Sequence, residues 1–165
     1  MSTSAEAFNA LPDDEARARL ETCLAVPRWV DDVLAGRPYS DDASLWDRAE
    51  RAAAQLDDAE LEAALSRHPR IGERPTEPGH EAAFSRREQS GVDGSDPDLA
   101  GRLAEGNRAY EARFDRVFLI RAAGRSAHEI LGELERRMRN DDATERGETV
   151  TQLREIAMLR LRQVV

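Results

Sequence analysis

The chain has 165 residues, enough for one domain with its own apolar core and no need of staples. Its 33 acidic against 24 basic residues give a net charge of −9, which argues against gripping nucleic acid or an anionic membrane surface. A single cysteine, Cys23, excludes an internal disulfide and any multi-cysteine metal site, and points to a reducing cytoplasm. All the basic residues are arginine. Without lysine there is no Schiff-base chemistry, no pyridoxal-phosphate lysine and no P-loop lysine. No apolar run approaches a membrane span, and the first residues do not read as a signal peptide.

In chain order, nearly every segment reads as helix. Ala16, Leu20, Cys23 and Leu24 mark a stripe after LPDDE, and Trp29, Val30, Val33 and Leu34 mark a short helix closed by Gly36 and the RPYS turn. Leu45, Ala49, Ala53 and Leu56 follow at helical spacing, and Asp57 with Glu60 forms a capping box for the helix of Leu61 and Leu65. HPRIGERPTEPG, 68–79, holds three prolines and two glycines and must be irregular; internal loops of this length are functional or disordered. Pro97 starts a helix in which Leu99, Leu103, Tyr110 and Phe114 share a face with the polar Asn107. Val117 to Ile120 is an apolar run that suits buried extended chain or helix equally. Ser126 and Glu129 cap a helix carrying Ile130, Leu134 and Met138, closed near Asn140. The last helix runs from about Thr144 through Val150, Leu153, Ile156, Ala157 and Leu161. With no repeat and no strand alternation, the expectation is an all-α, compact, single-domain helical bundle over residues 1–165.

Among polar candidates, His80 and His128 lack partners at metal-ligand spacing and read as solvated. Pro69 drives His68 out of the α region, placing it just past a helix end, where it is either an acid–base group or a cap on the helix dipole. Ser85 and Glu88 match a capping box; the functional alternative is a carboxylate that faces a cavity and orients a histidine. Arg160, between Leu159 and Leu161, sits at the edge of an apolar face and pairs with a carboxylate, the protein's own or a ligand's. Asn107 reads first as a buried hydrogen bond to backbone. No nucleophile elbow surrounds Ser85, and Cys23 has no histidine near it in sequence.

In this order the residues resemble the 2-oxo-4-hydroxy-4-carboxy-5-ureidoimidazoline (OHCU) decarboxylase family of urate breakdown. The likeness runs from FNALPDDEA through the Trp29 helix, the RPYS turn, HPRIGE, SRREQ at 85–89, Asn107-x-x-Tyr110, Arg139-Asn140 and REIAMLRL. The pairing of HPRIGE with SRREQ at this separation is the specific part. One departure stands out: where the family has a Phe-Gly-Phe-Pro-Phe-like stretch, this chain reads FDRVF, with Asp115 and Val117 in the Gly and Pro places. Arg121 stands where the family tends to have a small or apolar residue, either altering the pocket or pointing outward.

The resemblance implies a helical bundle, a homodimer, that removes CO₂ from OHCU without metal or organic cofactor and yields (S)-allantoin. It implies His68 as the acid–base group, Glu88 as its orienter or a hydroxyl ligand, and Arg160 as the ligand of an anionic or carbonyl group. It further implies substrate contacts from Pro69, from Ser85, Arg86, Arg87 and Gln89, and from the backbone of Phe118, Leu119, Ile120, Arg121 and Ala122. The partners expected are thus the small-molecule substrate and a second copy of the chain. Two rivals remain: a family relative with a changed substrate or no activity, and a helical interaction module in which His68 and Glu88 are only caps.

Overall fold

The computed structural model describes residues 2–71, 88 and 96–165, and among them there are helices and irregular segments and no strand. Two units emerge from the packing: residues 1–64 with 154–165, and residues 65–153.

The first unit begins with helix α1 (Ser4–Ala10), which the stripe-based reading does not anticipate. Its start is nonetheless written in the chain: Thr3 accepts from the Glu6 N–H while the Glu6 carboxylate takes the Thr3 N–H, a reciprocal cap. Helix α2 (Asp13–Cys23) opens with Asp13, Asp14 and Glu15, three carboxylates at the positive end of the helix dipole, and buries Ala16, Leu20 and Cys23. Helix α3 (Pro27–Ala35) starts on a proline whose missing N–H costs nothing there. Helix α4 (Asp42–Ala53) is capped by Asp41 accepting from the Ser44 N–H. α3 packs against both α2 and α4, and α1 against α4. Trp29 is fully buried at the α3–α4 seam and its indole N–H donates to the Ala49 carbonyl at 2.9 Å. Leu56 is buried too, but past the end of α4 and not on its last turn.

Between α3 and α4 the RPYS turn is tied down on all sides. The Arg37–Pro38 peptide is cis, Asn9 brackets Tyr39 through both its backbone groups, and the Tyr39 hydroxyl donates to the Val33 carbonyl at 2.5 Å. The Tyr39 ring lies so close over Gly36 that a Cβ there would overlap it, so only glycine fits. Helix α5 (Asp58–Leu65) carries the expected capping box between Asp57 and Glu60.

The second unit is built on helix α6 (Pro97–Phe114), helix α7 (Ala127–Arg137) and the first half of helix α8 (Asp142–Val164), whose last turns belong to the first unit. α6 begins with Pro97, as expected, behind an Asp96 side-chain cap, and α7 begins with the expected Ser126 accepting from the Glu129 N–H. One apolar cluster joins Leu99, Leu103, Tyr110 and Phe114 of α6 to Ile130, Leu131 and Leu134 of α7. The same cluster takes in Ile71, Phe118, Ile120 and Ala122.

α6 stops at Asp115, which has φ 55° and ψ 38° and closes the helix with its N–H on the Glu111 carbonyl at 2.9 Å. A left-handed residue ending a helix favours glycine, and aspartate is among the few others that adopt it readily. The FDRVF departure therefore keeps the backbone turn that Gly would make.

Candidate active site

The His68 loop follows directly from the end of α5. The His68 N–H donates to the Leu65 carbonyl at 3.1 Å, and the side chain is half-buried, as a residue thrown off the helix by Pro69 should be. Two contacts then fasten the next residues to α6. The Arg70 guanidinium donates to both Glu111 oxygens, at 2.5 and 3.2 Å. The Asn107 amide donates to the Ile71 carbonyl at 3.0 Å, with Ile71 itself in the apolar cluster. Asn107 is thus the buried backbone ligand its place on an apolar face suggests. Its Oδ1 is buried with no hydrogen-bond partner among the described residues.

Residues 117–122 resolve the helix-or-extended ambiguity: they are non-helical, and Phe118, Leu119, Ile120 and Ala122 are buried. The Phe118 ring stands edge-on to Tyr110 at 5.2 Å, and Tyr110 stacks on Phe114 at 4.8 Å. Side chains hold this backbone where a ladder would otherwise do so. The Leu119 carbonyl accepts from Arg137 Nη1 at 2.7 Å, and the Arg121 N–H donates to Gln152 Oε1 at 2.9 Å. The Arg121 carbonyl accepts from Arg125 Nε at 2.9 Å, and Arg125 returns its N–H to the Ala122 carbonyl at 3.0 Å. Ile120, only 2% exposed, has no partner among the described residues for its own N–H or carbonyl. Buried backbone groups are nearly always paired, so an unclaimed amide edge in a wall of this kind suits a ligand with its own amide donors and acceptors. Arg121 neither enters the cluster nor simply leaves it, since its Nη1 folds back onto the Ala123 carbonyl at 2.7 Å.

Beneath that segment lies an ionic network that pattern reading misses. Arg137 and Glu145 are 1% and 0% exposed and face each other through Nε–Oε1 at 2.8 Å and Nη2–Oε2 at 3.0 Å. Glu145 also accepts from the Tyr110 hydroxyl at 2.6 Å, and the Arg137 guanidinium lies 4.7 Å from the Phe118 ring centre. Burial together with the Glu145 carboxylate pushes the Tyr110 phenol up to about 12. The signal was present: Arg137 falls seven residues after Ile130 and three after Leu134, on the buried stripe of α7. Likewise Glu145, Thr149, Gln152 and Ile156 recur at i, i+4, i+7 and i+11 along α8.

Of the other expected site residues, Glu88 is helical and half-buried, whereas Ser85, Arg86, Arg87 and Gln89 lie outside the described residues, as does His80. His128 is exposed, in keeping with a solvated histidine. Arg160 belongs to the first unit, where it is 2% exposed and Nη1 donates to the Thr22 carbonyl at 3.3 Å, so it lies inside the core and not at its edge. Burial pushes the Cys23 thiol up to about 12, which leaves it inert as a nucleophile at neutral pH. Among the described residues no cluster of His, Cys, Asp and Glu could hold a metal, and no helix is long and apolar enough to cross a membrane.

Comparison with known proteins identifies the chain's family and fold. The sequence model of the OHCU decarboxylase family matches residues 9–162. A 2-oxo-4-hydroxy-4-carboxy-5-ureidoimidazoline decarboxylase of Amia calva is 30% identical over 135 residues, 81% of this chain and 77% of that one. A uric acid degradation bifunctional protein of Bacillus sp. (strain TB-90) is 26% identical over 130 residues, 78% of this chain but only 25% of its own length. The fold is shared with an OHCU decarboxylase crystallised in the presence of (S)-allantoin, at TM-score 0.73 and 21% identity over 93% of this chain and 97% of the other. It is also shared with an (S)-allantoin synthase, at TM-score 0.70 and 15% identity over 99% of this chain and 54% of the other. With the family's sequence pattern extending over nearly its whole length and its helical fold beneath, the chain belongs to the OHCU decarboxylase family.

Proposed function

We propose that this protein decarboxylates OHCU to (S)-allantoin in urate breakdown, as a single domain spanning residues 1–165. The observation that carries the reading is family membership over residues 9–162 with the HPRIGE and SRREQ motifs intact. The carbon that loses CO₂ adjoins a conjugated imine or amide of the substrate ring. The electron pair of the broken C–C bond passes into that ring system, CO₂ departs, and one proton is taken up. The substrate is its own electron sink, so the reaction calls for positioning, charge stabilisation and a proton donor. A chain with no lysine and an inert buried thiol is compatible with such chemistry, and we take it to need neither metal nor organic cofactor.

His68 supplies the proton to one face, which makes the product a single enantiomer. Its place on an irregular loop fastened to α6 through Arg70 and Ile71 supports that role, because a proton donor must be held within hydrogen-bond reach of its target. Glu88 orients His68 or binds the substrate hydroxyl, and Arg160 binds an anionic or carbonyl group. Pro69, Ser85, Arg86, Arg87 and Gln89 contribute further contacts. Ser85 and Gln89 hydrogen-bond the ureido and ring amides, and the backbone from Phe118 to Ala122 lines the substrate, a reading supported by the Ile120 N–H and carbonyl having no partner among the described residues. The left-handed Asp115 supports the same substrate over a changed one, since the turn into the segment is kept despite the loss of glycine. We assign the protein to the cytoplasm as a homodimer.

The test is the rate of CO₂ release from OHCU generated in situ from urate by a urate oxidase and a hydroxyisourate hydrolase. The wild type should accelerate release well above the spontaneous rate, and both His68→Asn and Glu88→Gln should remove most of the acceleration. Equal rates with wild type, His68→Asn and buffer would overturn the reading, and unimpaired variants of an active wild type would reassign the catalytic roles.

A further inference from the structure

We infer that Gln152 and Arg137 are positioning residues for the reaction, a pair of side-chain clamps that set the backbone of residues 118–122 for substrate. The inference rests on the proposed function and adds residues that the sequence motifs do not include. A binding wall made of main chain needs something to fix its peptide planes, and in a sheet the neighbouring strand does so. Here no strand flanks the segment among the described residues. Two side chains take the place of one: Arg137 Nη1 holds the Leu119 carbonyl at 2.7 Å and Gln152 Oε1 holds the Arg121 N–H at 2.9 Å. They grip the peptide groups on either side of Ile120, the residue whose own N–H and carbonyl are unclaimed among the described residues. Fixing both neighbours leaves those two groups with one orientation.

The clamps are themselves anchored. Arg137 has its Nε and Nη2 on Glu145 and Thr149, so the guanidinium plane is fixed and Nη1 is the nitrogen it turns to Leu119. Gln152 stands one turn further along α8 from Thr149, so α8 fixes both clamps relative to each other. Replacing Arg137 alone would strand the buried Glu145 and unsettle the fold, so it separates positioning from folding poorly. Gln152 is half-buried and its described bond is the one to Arg121, which makes it the informative position.

The experiment compares wild type with Gln152→Leu, which loses the acceptor, and Gln152→Glu, which keeps it. Each is read by kcat and KM on OHCU, by thermal midpoint and by hydrogen exchange of the Arg121 amide. Gln152→Leu should lower kcat/KM about 3- to 10-fold, the worth of one hydrogen bond. Its thermal midpoint should stay within about 2 °C of wild type, and the Arg121 amide should exchange faster. Gln152→Glu should restore kcat/KM to within about twofold, because the acceptor oxygen is what the Arg121 N–H requires. An unimpaired Gln152→Leu overturns the inference alone. So does equal loss in both variants alongside a fallen midpoint, since that would make Gln152 a packing residue. A wild type inert toward OHCU overturns the functional reading, and this inference with it.

Discussion

Glu145→Gln is the substitution that most sharply probes the buried network, because it keeps the side chain's volume while removing its charge. In the wild type, Arg137 is 1% exposed and its guanidinium meets Glu145 through bonds of 2.8, 3.0 and 3.1 Å. Removing the carboxylate charge leaves an arginine that cannot lose its proton in a site that water does not reach. Breaking a buried pair from one side costs about 3–5 kcal/mol. For a chain of this size that lowers the thermal midpoint by roughly 6–20 °C. Urea unfolding followed by circular dichroism is the direct assay, with an unchanged m-value expected alongside the lower midpoint. The complementary variant replaces the ion pair and the phenol together: Arg137→Met, Glu145→Leu and Tyr110→Phe. Apolar replacement of a complete buried pair is often neutral, so this variant should lie within about 2 kcal/mol of wild type. It nevertheless leaves the Leu119 carbonyl without its donor, so its activity should stay low when its stability has returned. A Glu145→Gln protein less than about 1 kcal/mol below wild type would refute the reasoning, since that is the cost of an exposed pair.

Other expectations follow from local geometry. Asp115→Gly relieves a left-handed residue and should raise the unfolding free energy by about 1 kcal/mol, read as a higher thermal midpoint. An unchanged or lowered midpoint would mean that the turn costs aspartate nothing. Gly36→Ala drives a methyl into the Tyr39 ring and should cost about 1–3 kcal/mol in urea unfolding, whereas Gly132→Ala, facing open space, should not destabilise. Acid should weaken the fold. Hydrogen bonds from Arg136 hold Glu133 and Glu148 below the usual carboxylate range, and cap bonds from Ser44 and Thr144 do the same for Asp41 and Asp141. A carboxyl depressed in the folded state stabilises above its unfolded value of about 4 and loses that contribution as pH falls through the folded one. The urea midpoint should therefore drop between about pH 5 and pH 3, and a flat profile would contradict these assignments.

What could be read in the chain divides along physical lines. Helices whose starts are local chemistry were legible: Asp57 with Glu60, Pro97 in a first turn, and Ser126 with Glu129 each act within four residues. The Thr3–Glu6 cap is of the same kind but heads a helix of only two turns, too short for an apolar stripe to announce it. Residues 117–120 were not legible, because an apolar run has no period. Their non-helical course is held from outside by Arg137 and Gln152, one 18 residues and the other 31 residues from its bond partner. Arg137 itself was overlooked because charged residues on a helix are ordinarily solvated, and only its partner Glu145 reverses that expectation. His68 was legible as a residue thrown off a helix end, but its proposed chemistry depends on neighbours brought from elsewhere in the chain.

The central claim is catalysis of one stereochemical course at His68, and the handedness of the product tests it most directly. Spontaneous decay of OHCU gives racemic allantoin. With wild-type protein present, the optical rotation of OHCU generated in situ should develop quickly to that of (S)-allantoin alone, and His68→Asn should return it to zero. Racemic product formed at the uncatalysed rate, from wild-type protein shown to be folded, would contradict the account.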